Sequence, residues 1–454
     1  VDVTAFRTPG LGDTTYLLAQ DGVGILVDPQ RDVDRFIESA DATGVRIYYI
    51  LETHLHNDYV SGGREVARRS GGGLVLPAAA GAAFEHIPAF HLEDLEAEGQ
   101  LTIRPIHTPG HTPEHVSYLV LVDRRPVALF SGGSLLTGAA GRTDLLGQAR
   151  AAQLGVLQFG SLKRLAGLPE GLALYPTHGA GSFCSAAAAG RGVSTIGHEK
   201  ATNPALAHTE PSEFVRAQLA SLQPYPRYYA AMGPINLLGP TPMPDMAIPS
   251  IDRQDLPAME DQVHIVDGRP RAEFAAGHIP GSIGIELSEQ FGVWTGWLVP
   301  FGTPLVLVLD PGQDLAEALV QLRRIGFDDV RGVIWGLEDW DTAAQPLASF
   351  DTVDAAQAAA AIREGRVGQL LDVRSPGEWG DGHLDDAVHG YVPDLVDGLP
   401  GDLSPDEVVW VACASGYRAT IAAGLVERAG FRPIVVNQGG VPEIMLRLTE
   451  VRAA

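Results

Sequence analysis

The sequence predicts an α/β protein in three parts: a layered α/β N-terminal half, then two copies of a smaller domain with a parallel sheet. Three observations carry this expectation. At 454 residues the chain is about three times the ~150-residue domain prior. Short β-rich runs alternate with amphipathic helices through the first half. Past a stretch rich in Gly and Pro, the chain repeats itself.

In the first half, Thr15–Ala19, Gly24–Asp28, Arg46–Glu52, Leu101–Ile106, Val116–Val122 and Val127–Phe130 read as strands. Helical periodicity falls on Asp32–Ala42, Gly63–Arg69 and Ala151–Leu165. Residues 1–232 are read as one domain. Residues 233–257 hold Gly233, Pro234, Gly239, Pro240, Pro242, Pro244, Pro249 and Pro257, a density of breakers that predicts a linker. Beyond it, His264-Ile-Val-Asp-Gly-Arg269 is echoed by Gln369-Leu-Leu-Asp-Val-Arg374. Glu273/Glu378, Phe274/Trp379, Gly277/Gly382 and His278/His383 recur at the same spacing. Apolar strands followed by a turn and a helix predict parallel sheets over 258–346 and 350–454.

A formal charge of −24 argues against nucleic acid or an anionic membrane as a partner. An anionic substrate must then be drawn in by local basic groups. Two cysteines, Cys184 and Cys413, make no disulfide framework and point to a reducing, cytoplasmic setting. No apolar run approaches the ~20 residues that span a bilayer, and no leader precedes Val1 in this reading. Homo-oligomerisation stays open.

Cys413-Ala414-Ser415-Gly416-Tyr417-Arg418 follows the apolar strand of the second copy and precedes a helix, Ala419–Arg428. A thiol at a helix N-terminus meets free N–H groups and the positive end of the helix dipole, and both favour the thiolate. Gly416 lets the loop curl its N–H groups inward, and Arg418 adds a cation. The bland reading is a buried, inert Cys. A phosphatase Cys-loop-Arg site is the nearest alternative chemistry. Residues ~350–454, with Asp372-Val-Arg374, Glu378-Trp379 and Gly382-His383, resemble the rhodanese family. That resemblance implies a persulfide carried on Cys413, stabilised by the loop N–H groups and Arg418. In the first copy, Asp310-Pro-Gly-Gln-Asp314 stands at the loop position, so Asp310 is expected to cap the helix and this copy to be catalytically inert.

Three histidine turns mark the first half. Thr53-His54-Leu-His56-Asn-Asp58-Tyr59, Thr108-Pro-Gly-His111-Thr-Pro-Glu-His115 and Tyr175-Pro-Thr-His178 each follow an apolar strand. One solvated loop His is unremarkable chemically, but three such turns in one domain suggest a shared metal site. From Val23-Gly-Ile-Leu-Val-Asp-Pro29 to His198-Glu-Lys-Ala-Thr-Asn-Pro204, including Gly141-Arg-Thr-Asp144, the chain resembles the metallo-β-lactamase superfamily. Within it, the chain resembles the persulfide dioxygenases, several of which are fused to rhodanese domains. The resemblance implies an αββα sandwich followed by two rhodanese-like α/β domains. It implies oxidation of glutathione persulfide, or a similar low-molecular-weight persulfide, to sulfite with O₂ at one Fe(II). Thiosulfate and sulfite enter as partners of Cys413. Zinc is the alternative metal.

The resemblance maps two metal ligands onto His54 and His111. The third, a family Asp, falls on Gly133, and Tyr59 stands where dinuclear hydrolases place a His. His56 could swing in, water or substrate could fill the slot, or the site could be metal-free; Asp58 is a weaker substitute ligand. A carboxylate returned at position 133 is expected to restore the site, with Gly132 giving the backbone room. Arg142, His178 and Lys200 are expected to bind substrate, and Cys184 to be a buried filler. The competing functional reading is a sulfurtransferase whose N-terminal domain only binds the sulfur carrier, or hydrolyses a thioester.

Overall fold

The computed structural model describes residues 1–98, 100–187, 189–190, 192–259, 262–338, 340 and 346–450. It divides into two compact units, residues 1–244 with 320–328, and residues 245–319 with 329–454. No helix among the described residues is long and apolar enough to cross a membrane.

The first unit is four layers, and side-chain alternation builds them. Successive residues on a strand point to opposite faces. Leu18, Ile25, Val27, Tyr118, Val120 and Phe130 point inward and fill the space between two six-stranded sheets. Their neighbours Leu17 and Leu26 point outward against Phe36 and Val66 of the helices Asp34–Ala42 and Gly63–Ser70. On the other side, Leu119, Leu121 and Leu129 pack against Leu162, Leu165 and Phe214 of the helices Gln148–Ala166 and Pro211–Ser221. Strands Val23–Val27 and Arg46–Leu51 run parallel in one sheet, as do Arg125–Gly132 and Ala173–Pro176 in the other. Residues 28, 52–58, 133 and 177–178 therefore leave the carboxyl ends of parallel strand pairs, a common place for a site in α/β proteins.

The segment read as a linker is not all irregular. The helix Tyr229–Leu238 runs through its first residues, with Pro234 inside it. Its Asn236 Nδ2 donates to the carbonyls of His56 and Tyr59, at 2.8 and 2.9 Å, and so pins the first histidine turn.

The second unit contains two parallel sheets, one of four strands and one of five. The repeat seen in the sequence is repeated in the hydrogen bonds. Arg269 Nη2 reaches Asp267 Oδ2 and Gly277 O, each at 2.7 Å; Arg374 Nη2 reaches Asp372 Oδ2 and Gly382 O, also at 2.7 Å. In both copies a buried acid–base pair ties the end of one strand to the turn beyond the next helix.

A candidate metal centre and a cysteine loop

The loops at the strand ends bring His54, His56, Asp58, His111 and His178 into one buried cluster. Three donor triads overlap there among the described residues: His54, His111 and His178; His56, Asp58 and His178; and Asp28, Glu52 and His56. Within each, one ligand atom per residue lies within 4.8 Å of the others. His178, expected at the substrate, is shared by the first two of these triads.

The tautomers follow from the partners. His178 Nδ1 faces Asp13 Oδ1 at 2.8 Å, and His111 Nδ1 faces the Arg142 carbonyl at 2.8 Å. Thr53 Oγ1 donates to Asp28 Oδ2, so it accepts from His54 Nδ1 at 2.8 Å. Each Nδ1 is thereby the proton-bearing nitrogen, and each Nε2 is a lone pair. His54 Nε2 and His178 Nε2 face each other at 3.4 Å, and His111 Nε2 has no hydrogen-bond partner. Leaving a buried polar atom unsatisfied costs about 1–3 kcal/mol. A cation accepting the three lone pairs would remove that cost. The donor set therefore fits a transition metal, with outer hydrogen bonds fixing each ring as metal-binding histidines require.

Burial holds His54, His111 and His178 toward the neutral form that binds metal. His56 differs. Burial opposes its protonation, but Asp28 and Glu52 outweigh it and raise its pKa. His56 Nε2 lies 3.2 Å from Asp28 Oδ1 and 3.3 Å from Glu52 Oε2, ion-pair distances without hydrogen-bond geometry. Its Nδ1 is left 3.9 Å from Asp58 Oδ1. Burial lifts the Asp13 and Asp58 carboxyls to about 7.

Position 133, where the resemblance places a carboxylate, lies against the His111 ring. A Cβ on Gly133 would lie 2.2 Å from His111 Cδ2 and 2.6 Å from its Nε2. The His111 ring occupies the side-chain space at position 133. At Gly132, where φ is +55°, a Cβ would meet Thr53 Oγ1 and His115 Nε2. Position 132 therefore takes only glycine. His115 is not a ligand: its Nε2 accepts from the Gly133 N–H at 3.0 Å and its Nδ1 meets Thr108 Oγ1 at 2.9 Å.

Two expected anion clamps lie elsewhere. Arg142 is buried, paired with Asp144 at 2.7 Å, and donates to the Phe183 and Gln223 carbonyls. Only its own carbonyl serves the cluster. Lys200 pairs with Glu170 at the surface, at 2.7 Å. Cys184 is buried, as a filler should be. Sequence reasoning missed Asp13, which had no signal beyond a turn before a strand. It also gave no site role to Asp28, which lay in the apolar-run-then-acid pattern. A cavity of about 10 Å³, room for about one water, adjoins His54 and His56 and is lined by Glu52, Ser61, Arg64 and Asn236.

In the second unit, Cys413 sits at the end of strand Val408–Ala412 and before helix Tyr417–Arg428. Its Sγ accepts from the Gly416 N–H at 3.1 Å and the Ser415 N–H at 3.5 Å. Gly416 has φ +95°, and a Cβ there would lie 2.2 Å from the Asn437 carbonyl oxygen. Tyr417 turns away and donates to the Glu286 carbonyl of the first copy at 3.2 Å. Arg418 is held by Glu378 in a bidentate pair, at 2.6 and 2.7 Å. In the first copy, Asp314 rather than Asp310 caps the helix, accepting from Glu317 N at 3.1 Å; the Asp310 N–H goes to Gln313 Oε1.

Residues 8–178 match the family model for the metallo-beta-lactamase superfamily. A hydroxyacylglutathione hydrolase of Methylobacterium sp. (strain 4-46) is 32% identical over 233 residues, covering 44% of this chain and 88% of the relative. The chain belongs to the metallo-beta-lactamase superfamily. Residues 252–343 and 354–446 each match the rhodanese-like domain, so this superfamily member carries two rhodanese-like domains in tandem. A probable metallo-hydrolase of Burkholderia pseudomallei is 30% identical, covering 39% of this chain and 71% of the relative. Among solved structures, a metallo-beta-lactamase from Staphylococcus aureus is 27% identical with a TM-score of 0.66, covering 74% of this chain and 98% of that one.

Proposed function

We propose that the chain is a sulfur-metabolising enzyme. Its N-terminal site oxidises a low-molecular-weight persulfide of the glutathione persulfide type to sulfite, and Cys413 transfers sulfane sulfur. The observation that carries this reading is the pairing, in one chain, of a buried cluster of imidazole lone pairs with a thiol in a loop of inward N–H groups.

We infer that His54, His111 and His178 hold the metal; Asp58, which shares a donor triad with His56 and His178, is a carboxylate of the same cluster. Fe(II) is the proposed ion, because oxidation by O₂ needs a redox-active centre and zinc has none. Bound there, iron would supply the redox chemistry that oxidation by O₂ needs. The residues do the rest: Asp13 orients His178, Thr53 orients His54, and the Arg142 carbonyl orients His111. Overall, RS–SH, O₂ and water give RSH and sulfurous acid, so atoms balance. At Cys413 the N–H groups of Ser415 and Gly416 are aimed at the sulfur that accepts sulfane sulfur in this reading.

A second reading, thioester hydrolysis, is favoured by the relatives named hydroxyacylglutathione hydrolases. Against it stand Gly133 and Tyr59, at positions where the family's dinuclear hydrolases have metal-binding residues. Metal identity separates the two. Protein loaded with Fe(II) or with Zn(II) is assayed on glutathione persulfide under air and on a hydroxyacylglutathione thioester. Sulfite release by the iron form alone supports oxidation; thioester cleavage by the zinc form, with no sulfite from the iron form, overturns it.

A further inference from the structure

The sulfur loop presents N–H donors at its floor, but its one fixed cation is already engaged. Glu378 is the third residue of the helix Pro376–Asp381 and closes a capping box with Ser375. Its Oε2 accepts from Ser375 N at 3.1 Å, from Ser375 Oγ at 2.8 Å and from Arg418 Nη1 at 2.6 Å. Oε1 takes Arg418 Nη2 at 2.7 Å. Partial burial opposes ionisation of Glu378, but Arg418 and then Ser375 outweigh it and push its pKa down to about 2. Burial opposes the charge on Arg418, but Glu378 outweighs it and raises the Arg pKa, with Cys413 adding a smaller push in the same direction. At neutral pH the loop mouth therefore carries a fixed pair whose charges cancel.

We propose that Glu378 is a specificity-determining residue: by neutralising Arg418 it turns Cys413 toward persulfides, RS–SH, and away from the dianionic donor thiosulfate. This rests on the sulfur-transfer reading of Cys413. The charge count of the two reactions explains the preference. With a persulfide, the Cys413 thiolate forms a bond to the outer sulfur, the S–S bond of the donor breaks, and its electron pair leaves on RS⁻. Cys413–S–SH remains, and one negative charge is present throughout. With thiosulfate, the thiolate bonds to the sulfane sulfur and the breaking bond's pair leaves on sulfite. Cys413–S–S⁻ and SO₃²⁻ result, and three negative charges share the loop throughout. Two N–H groups and a cancelled cation suit one charge far better than three, and a local field in a partly buried site is weakly screened.

Glu378→Gln removes the charge but keeps the capping box, since Gln serves at this helix position as well as Glu. The experiment measures sulfur loading of Cys413 in the full chain with thiosulfate and with glutathione persulfide, separating kcat from KM. The thiosulfate KM should fall about tenfold, while kcat/KM for the persulfide stays within about threefold. The ratio between donors does not depend on the fraction of protein folded. Glu378→Asp keeps the charge with a shorter reach, and its thiosulfate KM should stay within about threefold of wild type. An unchanged thiosulfate KM in Glu378→Gln, equal shifts for both donors, or Glu378→Asp behaving like Glu378→Gln would overturn the proposal. If neither donor loads wild-type Cys413, the sulfur-transfer reading itself fails, and this inference with it.

Discussion

At the proposed metal centre the residues to test first are Gly133 and His178. A carboxylate at 133 would need the space that the His111 ring fills. Gly133→Asp should therefore overpack the site, costing about 1–3 kcal/mol and lowering metal content. Thermal unfolding and metal analysis of the variant check this; a variant at least as stable as wild type, with more bound metal, would show that the ring yields. His178 shares two triads, so His178→Ala should reduce metal affinity at least as far as His54→Ala does. A His178→Ala protein that binds metal like wild type would return His178 to the substrate side. Arg142→Ala, by contrast, is expected to act on stability, because its guanidinium is spent on Asp144 and two carbonyls away from the cluster.

At the scale of elements, the strand–loop–helix units set the chemistry. Gly416→Ala should cut sulfur transfer by Cys413 sharply: the residue sits at φ +95°, its Cβ would strike the Asn437 carbonyl, and its N–H is the shorter donor to the sulfur. Sulfurtransfer by Gly416→Ala within about twofold of wild type would contradict that placement. These units were legible in the sequence because each motif follows an apolar run and ends in Gly or Pro. The strand Val116–Val122 and helix Gly63–Ser70 sit where the pattern puts them, to within a residue. The helix Tyr229–Leu238 was hidden by Gly233 and Pro234, since its hold on the His56 turn through Asn236 outweighs the local propensity. The role of His178 was hidden for another reason. Its Nδ1 partner, Asp13, lies far away in sequence, and only strand pairing brings the two together.

In the proposed account, the chain carries a histidine cluster that holds metal and a thiol that carries sulfur, and between them in sequence lies a rhodanese-like copy with Asp310 at the cysteine position. Moving the thiol should not move the activity. Asp310→Cys combined with Cys413→Ser is expected to be inactive in sulfur transfer: Pro311 lacks an N–H, Gln313 occupies the loop by bonding the Asp310 N–H and the Gly268 carbonyl, and Leu315 stands where Arg418 would. Strong sulfurtransfer by that double variant would mean that the first copy kept a working loop. The central claim is that persulfide oxidation belongs to the histidine cluster and is independent of the thiol. Sulfite alone cannot test it, because Cys413 would also release sulfite from thiosulfate without O₂. The decisive measurement is O₂ consumed against sulfite formed from glutathione persulfide, in the Fe(II)-loaded wild type, Cys413→Ser and His111→Ala proteins. One O₂ per sulfite should be found in the first two and neither change in the third; sulfite without O₂ uptake, or its loss with Cys413, would contradict the claim.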